Sequence, residues 1–147
     1  MKAGEIAKVR AVFVTALLLS IVHYIDNTVR YDDYTGGKSS FVTRPMIPLS
    51  WVLFVAAGVA GYRALKQGHR TRGGWLLAVY SLSGIVGIGH FTTVSPSDFS
   101  AFQLTFIVLD FFAGVAVFVV AARVAFARPV TRPPTTTGRS PAGSASR

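Results

Sequence analysis

The chain has 147 residues, of which 51% are hydrophobic and only 14% charged, with a formal net charge of +9 and no cysteine. That length suits one domain, and the charged fraction falls well below the roughly 25% of ordinary soluble domains. The missing cysteines exclude disulfides, thiolate metal sites and cysteine nucleophiles.

Charge is absent over four long runs. Residues 11–25, 45–62 and 73–97 contain no Lys, Arg, Asp or Glu, and residues 99–122 contain only Asp110. A bilayer core of about 30 Å needs about 20 apolar helical residues, so the runs predict four transmembrane helices. The expected spans are about residues 8–26, 47–66, 74–93 and 97–126. They define an all-α, polytopic domain over residues 1–127, an antiparallel bundle in a cell membrane. Twelve of the fifteen Lys and Arg fall before the first run, between the second and third, or after the fourth; Arg30, Lys38 and Arg44 fall on the other side. By the positive-inside rule both termini are cytoplasmic. The same distribution assigns the charge to topology and to the lipid bilayer rather than to nucleic acid.

The first span starts like a signal peptide, but His23-Tyr24-Ile25-Asp26-Asn27 follows where a small-residue cleavage site would stand, which predicts an uncleaved anchor. On a helix Asp26 and Asn27 share a face with His23, three and four residues earlier. A carboxylate in the last helical turn opposes the helix dipole and calls for a cation: protonated His23, Arg30 or a metal. The following loop, Thr28 to Ile47, carries Arg30-Tyr31-Asp32-Asp33-Tyr34 and the turn signal Thr35-Gly36-Gly37. It either folds over the outer face or moves freely.

Span two holds Ala57 and Gly61, a small-xxx-small pair suited to close helix approach, with Trp51 as an interfacial anchor. Along span three Tyr80, Ser83, Gly87 and His90 form a polar and small-residue stripe. Ser95-Pro96-Ser97-Asp98 has the features of a helix start for span four. That span carries Gln103 and Asp110 on one face. Residues 128–147, rich in Pro, Thr, Ser, Gly and Arg, are expected to be a disordered cytoplasmic tail.

Asp110 is the most informative single residue. A mid-span carboxyl costs about 2.5–3.5 kcal/mol on insertion scales, which the surrounding Leu, Ile, Phe and Val offset. It stays protonated as a packing clamp on Ser83, Tyr80 or a carbonyl, serves a proton, ion or ligand, or makes a symmetric oligomer contact. Counted from Asp98 it lies about 18 Å along its helix, deeper than His23 and His90. Water or a ligand would then link it to them in place of direct contact.

The candidate ligand-binding set is therefore His23, Asp26, Asn27, Tyr80, Ser83, His90, Gln103 and Asp110. As alternatives, His23, Asp26 and His90 would bind a divalent metal, or His23 and His90 would hold a haem beside Gly84, Gly87 and Gly89. No Walker loop, nucleophile elbow or HExxH motif is present. Three functions compete: binding a small ligand or acting as an accessory subunit of a larger membrane complex or homo-oligomer; electron transfer through haem or metal; and acid–base catalysis on an apolar substrate by Asp110 and His90.

Overall fold

A computed structural model describes residues 1, 3–38 and 41–126. These residues form helices and connecting turns, with no strand among them. Helix α1 spans Ala3–Val29 and is followed by the short α2, Tyr31–Thr35. Helix α3 spans Met46–Lys66, α4 spans Arg70–Ile85 and continues as tighter 3-10 turns over Val86–Thr92, and α5 spans Ala101–Phe126. Four of these segments are long and apolar enough to cross a membrane. The expected tail at 128–147 lies outside the described residues.

Large apolar side chains point outward along these helices, among them Leu18, Ile25, Leu49, Leu53, Phe112 and Phe118. That pattern suits hydrocarbon as the solvent, where burying apolar area yields little and close packing must hold the helices together. Glycine supplies the close packing. A Cβ at Gly84 would sit 2.2 Å from the Asp110 carbonyl oxygen, one at Gly114 would sit 2.8 Å from that of Ser81, and one at Gly74 would sit 2.8 Å from that of Ala121. All three lie on the α4–α5 seam. Gly61 of α3 meets Gly73 and Leu76 of α4, while Gly58 accommodates the rings of Phe13 and Tyr80.

At one end of the molecule Val9, Phe13, Leu65, Leu77, Val117 and Val124 bury one another; Arg63, Lys66, Arg70 and Arg72 make this the basic end. Here α3 stops in a Schellman motif. The His69 amide donates to the Ala64 carbonyl, the Gly68 amide donates to that of Leu65, and Gly68 takes φ 88°, a conformation that favours glycine. At the opposite end Tyr34, Val94, Phe99 and Ile107 form a second cluster. The loop after α1 thus folds over that end through Tyr34, which is 2% exposed.

Two details differ from expectation. Ser95-Pro96-Ser97-Asp98 does not begin the last long helix: Pro96–Asp98 is an isolated 3-10 turn, Phe99 is extended, and α5 starts at Ala101. Extension at Phe99 buries its ring against Tyr34. A capping box then starts the helix: the Ser100 amide donates to Gln103 Oε1 at 2.9 Å and the Gln103 amide donates to Ser100 Oγ at 3.3 Å. Trp51, expected at the interface, turns inward and donates to Ser20 Oγ at 3.1 Å.

Candidate functional site

The buried face of α1 reads Val9, Phe13, Ala16, Ser20, His23, Asn27, at alternating steps of four and three. The helix therefore carries three polar residues into the interior on one stripe. Ser20 binds its own turn through the Leu17 carbonyl and lies 3.5 Å from the Tyr80 hydroxyl. His23 and Asn27, one and two turns further, face α4, its 3-10 continuation and α5.

His23 Nδ1 lies 3.4 Å from Asp110 Oδ2, and both side chains are 2% exposed. Neither atom has another polar partner. This direct approach corrects the expectation of a water-linked or ligand-linked pair, for two reasons. Because α5 begins at Ala101, Asp110 is nine residues inside its helix, about 14 Å, and not about 18 Å. Side chains also lean toward the amino terminus of their own helix. Val9 of α1 packs with Val124 of α5, so His23 and Asp110 lean toward each other. Gly84 and Gly87 leave the space for this approach: a Cβ on Gly84 would strike the Asp110 backbone, and one on Gly87 would come within 3.2 Å of His23 Cε1.

One proton suffices to neutralise the pair. A protonated carboxyl facing a neutral imidazole and a carboxylate facing an imidazolium both carry zero net charge. Removing that proton leaves a lone anion in low dielectric, the costly state.

His90 stands beside this pair, its ring centroid 5.7 Å from that of His23. Its Nε2 lies 3.2 Å from Asn27 Nδ2, and its ring meets the Tyr34 ring edge-on at 4.8 Å. The switch to 3-10 winding after Ile85 helps place it. Each residue then advances about 120° in place of 100°, so Gly87 and His90, three apart, stay on one line.

Asp26 does not join the histidines. Tyr34 donates to its Oδ2 at 2.9 Å and Arg30 Nε lies 3.3 Å from its Oδ1, so Arg30 is the cation that the end of α1 calls for. Burial, and then the hydrogen bond to Asp26, hold the Tyr34 hydroxyl above the usual tyrosine range. Gln103 is likewise set apart, capping α5 and donating to Asp33 Oδ2 at 3.3 Å. Tyr80 belongs to the Ser20–Trp51 group on the basic side of the pair. Ser83 is buried, and its carbonyl accepts the Tyr24 hydroxyl at 3.1 Å. The residues brought together are thus His23, Asn27, His90 and Asp110, joined by Tyr24 and Tyr34, which the charge and spacing patterns did not single out. Tyr24 is the sequence neighbour of His23; Tyr34 lies in a polar loop of mixed charge whose sequence carries no burial signal.

All of these except Asp110 face a cavity of about 650 Å³. Its polar wall holds His23, Tyr24, Asn27, Ser83 and His90, and its apolar wall holds Met46, Ile47, Phe54 and Val86. Asp110 stands behind His23 and does not line it. Lys38 is the one charged side chain at this cavity among the described residues.

The metal set His23, Asp26 and His90 is not gathered, because Asp26 is taken by Tyr34 and Arg30. Among the described residues no group of three or more His, Cys, Asp or Glu could hold a metal ion. A haem clasped between the two histidines does not fit these side chains either. Both imidazoles would have to aim a nitrogen at one iron along a common axis. Here His90 Nε2 is engaged by Asn27, and the Tyr34 ring lies against both imidazoles where a macrocycle would need room.

Comparison with family models, curated proteins and solved structures finds no match for this chain.

Proposed function

We propose that this chain is a multi-pass cell-membrane protein whose four long helices form an antiparallel bundle with both termini in the cytoplasm, and that its extracytoplasmic cavity binds a small, mostly apolar molecule with one hydrogen-bonding end. The observation that carries this is the cavity of about 650 Å³ whose wall contains His90 and His23, the latter backed by buried Asp110. Ligand sites of a few hundred Å³ combine an apolar lining with a few convergent polar groups, as here. The imidazoles and the Asn27 amide offer donors and acceptors at one end, and Phe54 and Val86 offer an apolar wall.

Native mass spectrometry of the detergent-purified protein, with a total lipid extract of the expressing cells added back, tests the proposal. An adduct of defined mass is expected on the wild type. Phe54→Trp, which fills the cavity while leaving His23 and His90 in place, should abolish it. A wild type that carries no adduct after add-back would sink the proposal. Topology is tested separately. A single cysteine at Thr93 should react with an impermeant thiol reagent in intact cells, and one at Thr71, exposed at the basic end, only after permeabilisation.

The pair of His23 and Asp110 favours one second reading: transfer of a proton to or from the bound molecule through the cavity-facing imidazole. Asp110→Asn keeps the shape and removes the acid, so unchanged turnover of any identified substrate would exclude it.

A further inference from the structure

A second depression lies on the α3–α4 face at the basic end, far from the histidines. It measures about 560 Å³; Val52, Ala56 and Ala60 form its floor, and Arg63, Gln67 and Arg72 form its end. The floor exists because Ala56 and Ala60 follow Val52 at successive steps of four and project little beyond the backbone. From Val52 to Gln67 the helix rises about 22 Å, more than the roughly 15 Å of hydrocarbon in one leaflet. No Asp or Glu lines the depression. The ion pairs of Asp110 with His23, Asp26 with Arg30 and Asp32 with Arg44 all lie away from this face.

We infer that this groove holds one anionic phospholipid of the leaflet next to the basic end, with an acyl chain along Val52, Ala56 and Ala60 and the phosphate between Arg63 and Arg72. Charge complementarity selects the lipid class. Guanidinium forks bind phosphate oxygens in bidentate geometry, and two of them in a groove lined by no carboxylate favour a headgroup of net negative charge. A zwitterionic headgroup would bring an ammonium against the same two cations. The groove's length selects a lipid over a soluble anion, since phosphate alone would occupy only the arginine end. Basic pockets between helices at the cytoplasmic side are a known physical route to headgroup selectivity. This inference depends on the helices spanning a bilayer and is independent of the cavity at the other end.

The test is native mass spectrometry of the full chain in detergent, titrated with phosphatidylglycerol or with phosphatidylcholine. Phosphatidylglycerol should bind preferentially, and Arg63→Gln with Arg72→Gln should weaken it by about tenfold or more. Lys66→Gln with Arg70→Gln removes the same charge away from the groove and should change binding little. Ala60→Trp keeps every charge, fills the floor on an outward face, and should also weaken binding. The inference is overturned if phosphatidylcholine binds equally, if the two double variants lose affinity equally, or if Ala60→Trp binds like the wild type. Displacement of the lipid by millimolar inorganic phosphate, which would show that the headgroup alone is held, overturns it as well.

Discussion

Gly84 is where the helix packing and the candidate site depend on the same atoms, so Gly84→Ala is the most informative substitution. The new Cβ would lie 2.2 Å from the Asp110 carbonyl oxygen, 1.2 Å short of the 3.4 Å at which ordinary contact begins. The obstacle is backbone in the middle of α5, which cannot rotate away as a side chain would. Helices α4 and α5 must therefore separate, and Gly74 and Gly114 lose their close contacts along the same seam. Overpacking costs about 1–3 kcal/mol, and a backbone clash belongs at the upper end. Replacing glycine in a helix returns about 1 kcal/mol through propensity, so the net loss should be about 2 kcal/mol. Gly89→Ala is the matched control, since nothing lies within 4 Å of its Cβ position. Both variants should be unfolded reversibly in mixed micelles with increasing SDS and followed by circular dichroism. Gly89→Ala should fall within about 0.5 kcal/mol of the wild type. If Gly84→Ala did so too, the close α4–α5 approach and the position it gives Asp110 would be wrong.

Further outcomes follow from the same geometry. His23→Leu or Asp110→Leu alone should cost about 1–2 kcal/mol, each leaving a buried polar partner behind, while the double variant should cost less than the two singles added; strict additivity in the SDS titration would refute the pairing. Ser100→Ala removes the capping box of α5 and should cost about 1 kcal/mol in the same assay, whereas Ser95→Ala should cost nothing measurable. The Tyr34 hydroxyl, raised above its ordinary range by burial and by Asp26, should be missing from the phenolate absorbance that develops near pH 10 in the folded protein. Because the folded-state value is the higher one, its contribution is complete below the unfolded tyrosine value and is lost as pH rises above it. Tyr34→Phe should flatten that alkaline loss.

The four long helices were legible because hydropathy over some twenty residues is a sum, and a sum tolerates local error. The start of α5 was not, although the sequence carried its signal: Ser100-Ala101-Phe102-Gln103 is a capping box that competes with Ser95-Pro96. Burial of Phe99 decided between them, and burial is a tertiary fact. The approach of His23 to Asp110 is hidden by that same ambiguity, because depth depends on where α5 starts and the opposed lean of the two side chains closes the remaining gap. Tyr34 could not be found from the sequence. A polar loop of twenty residues and mixed charge has no periodicity to mark the one ring that turns inward.

The surroundings of the pair limit how a proton reaches it. Toward the basic end come Ser20, Tyr80 and Trp51, bonded or close to one another, and then the apolar layer of Phe13, Leu77, Val117 and Ala121. Asp110 is itself 1% exposed and does not line the cavity, whereas His23 does. The His23 imidazole lines the cavity and so offers a proton path from it to the pair. A molecule seated there would cover that route. If the cavity is the binding site, Asp110 should exchange protons with water in the empty protein and be shielded in the loaded one. Isotope-edited infrared spectroscopy of the protonated carboxyl C=O stretch, followed after transfer to D₂O, would show the difference as a slower shift. An equal rate with and without the bound molecule would mean that the proton takes another path and that the cavity and the pair are unrelated.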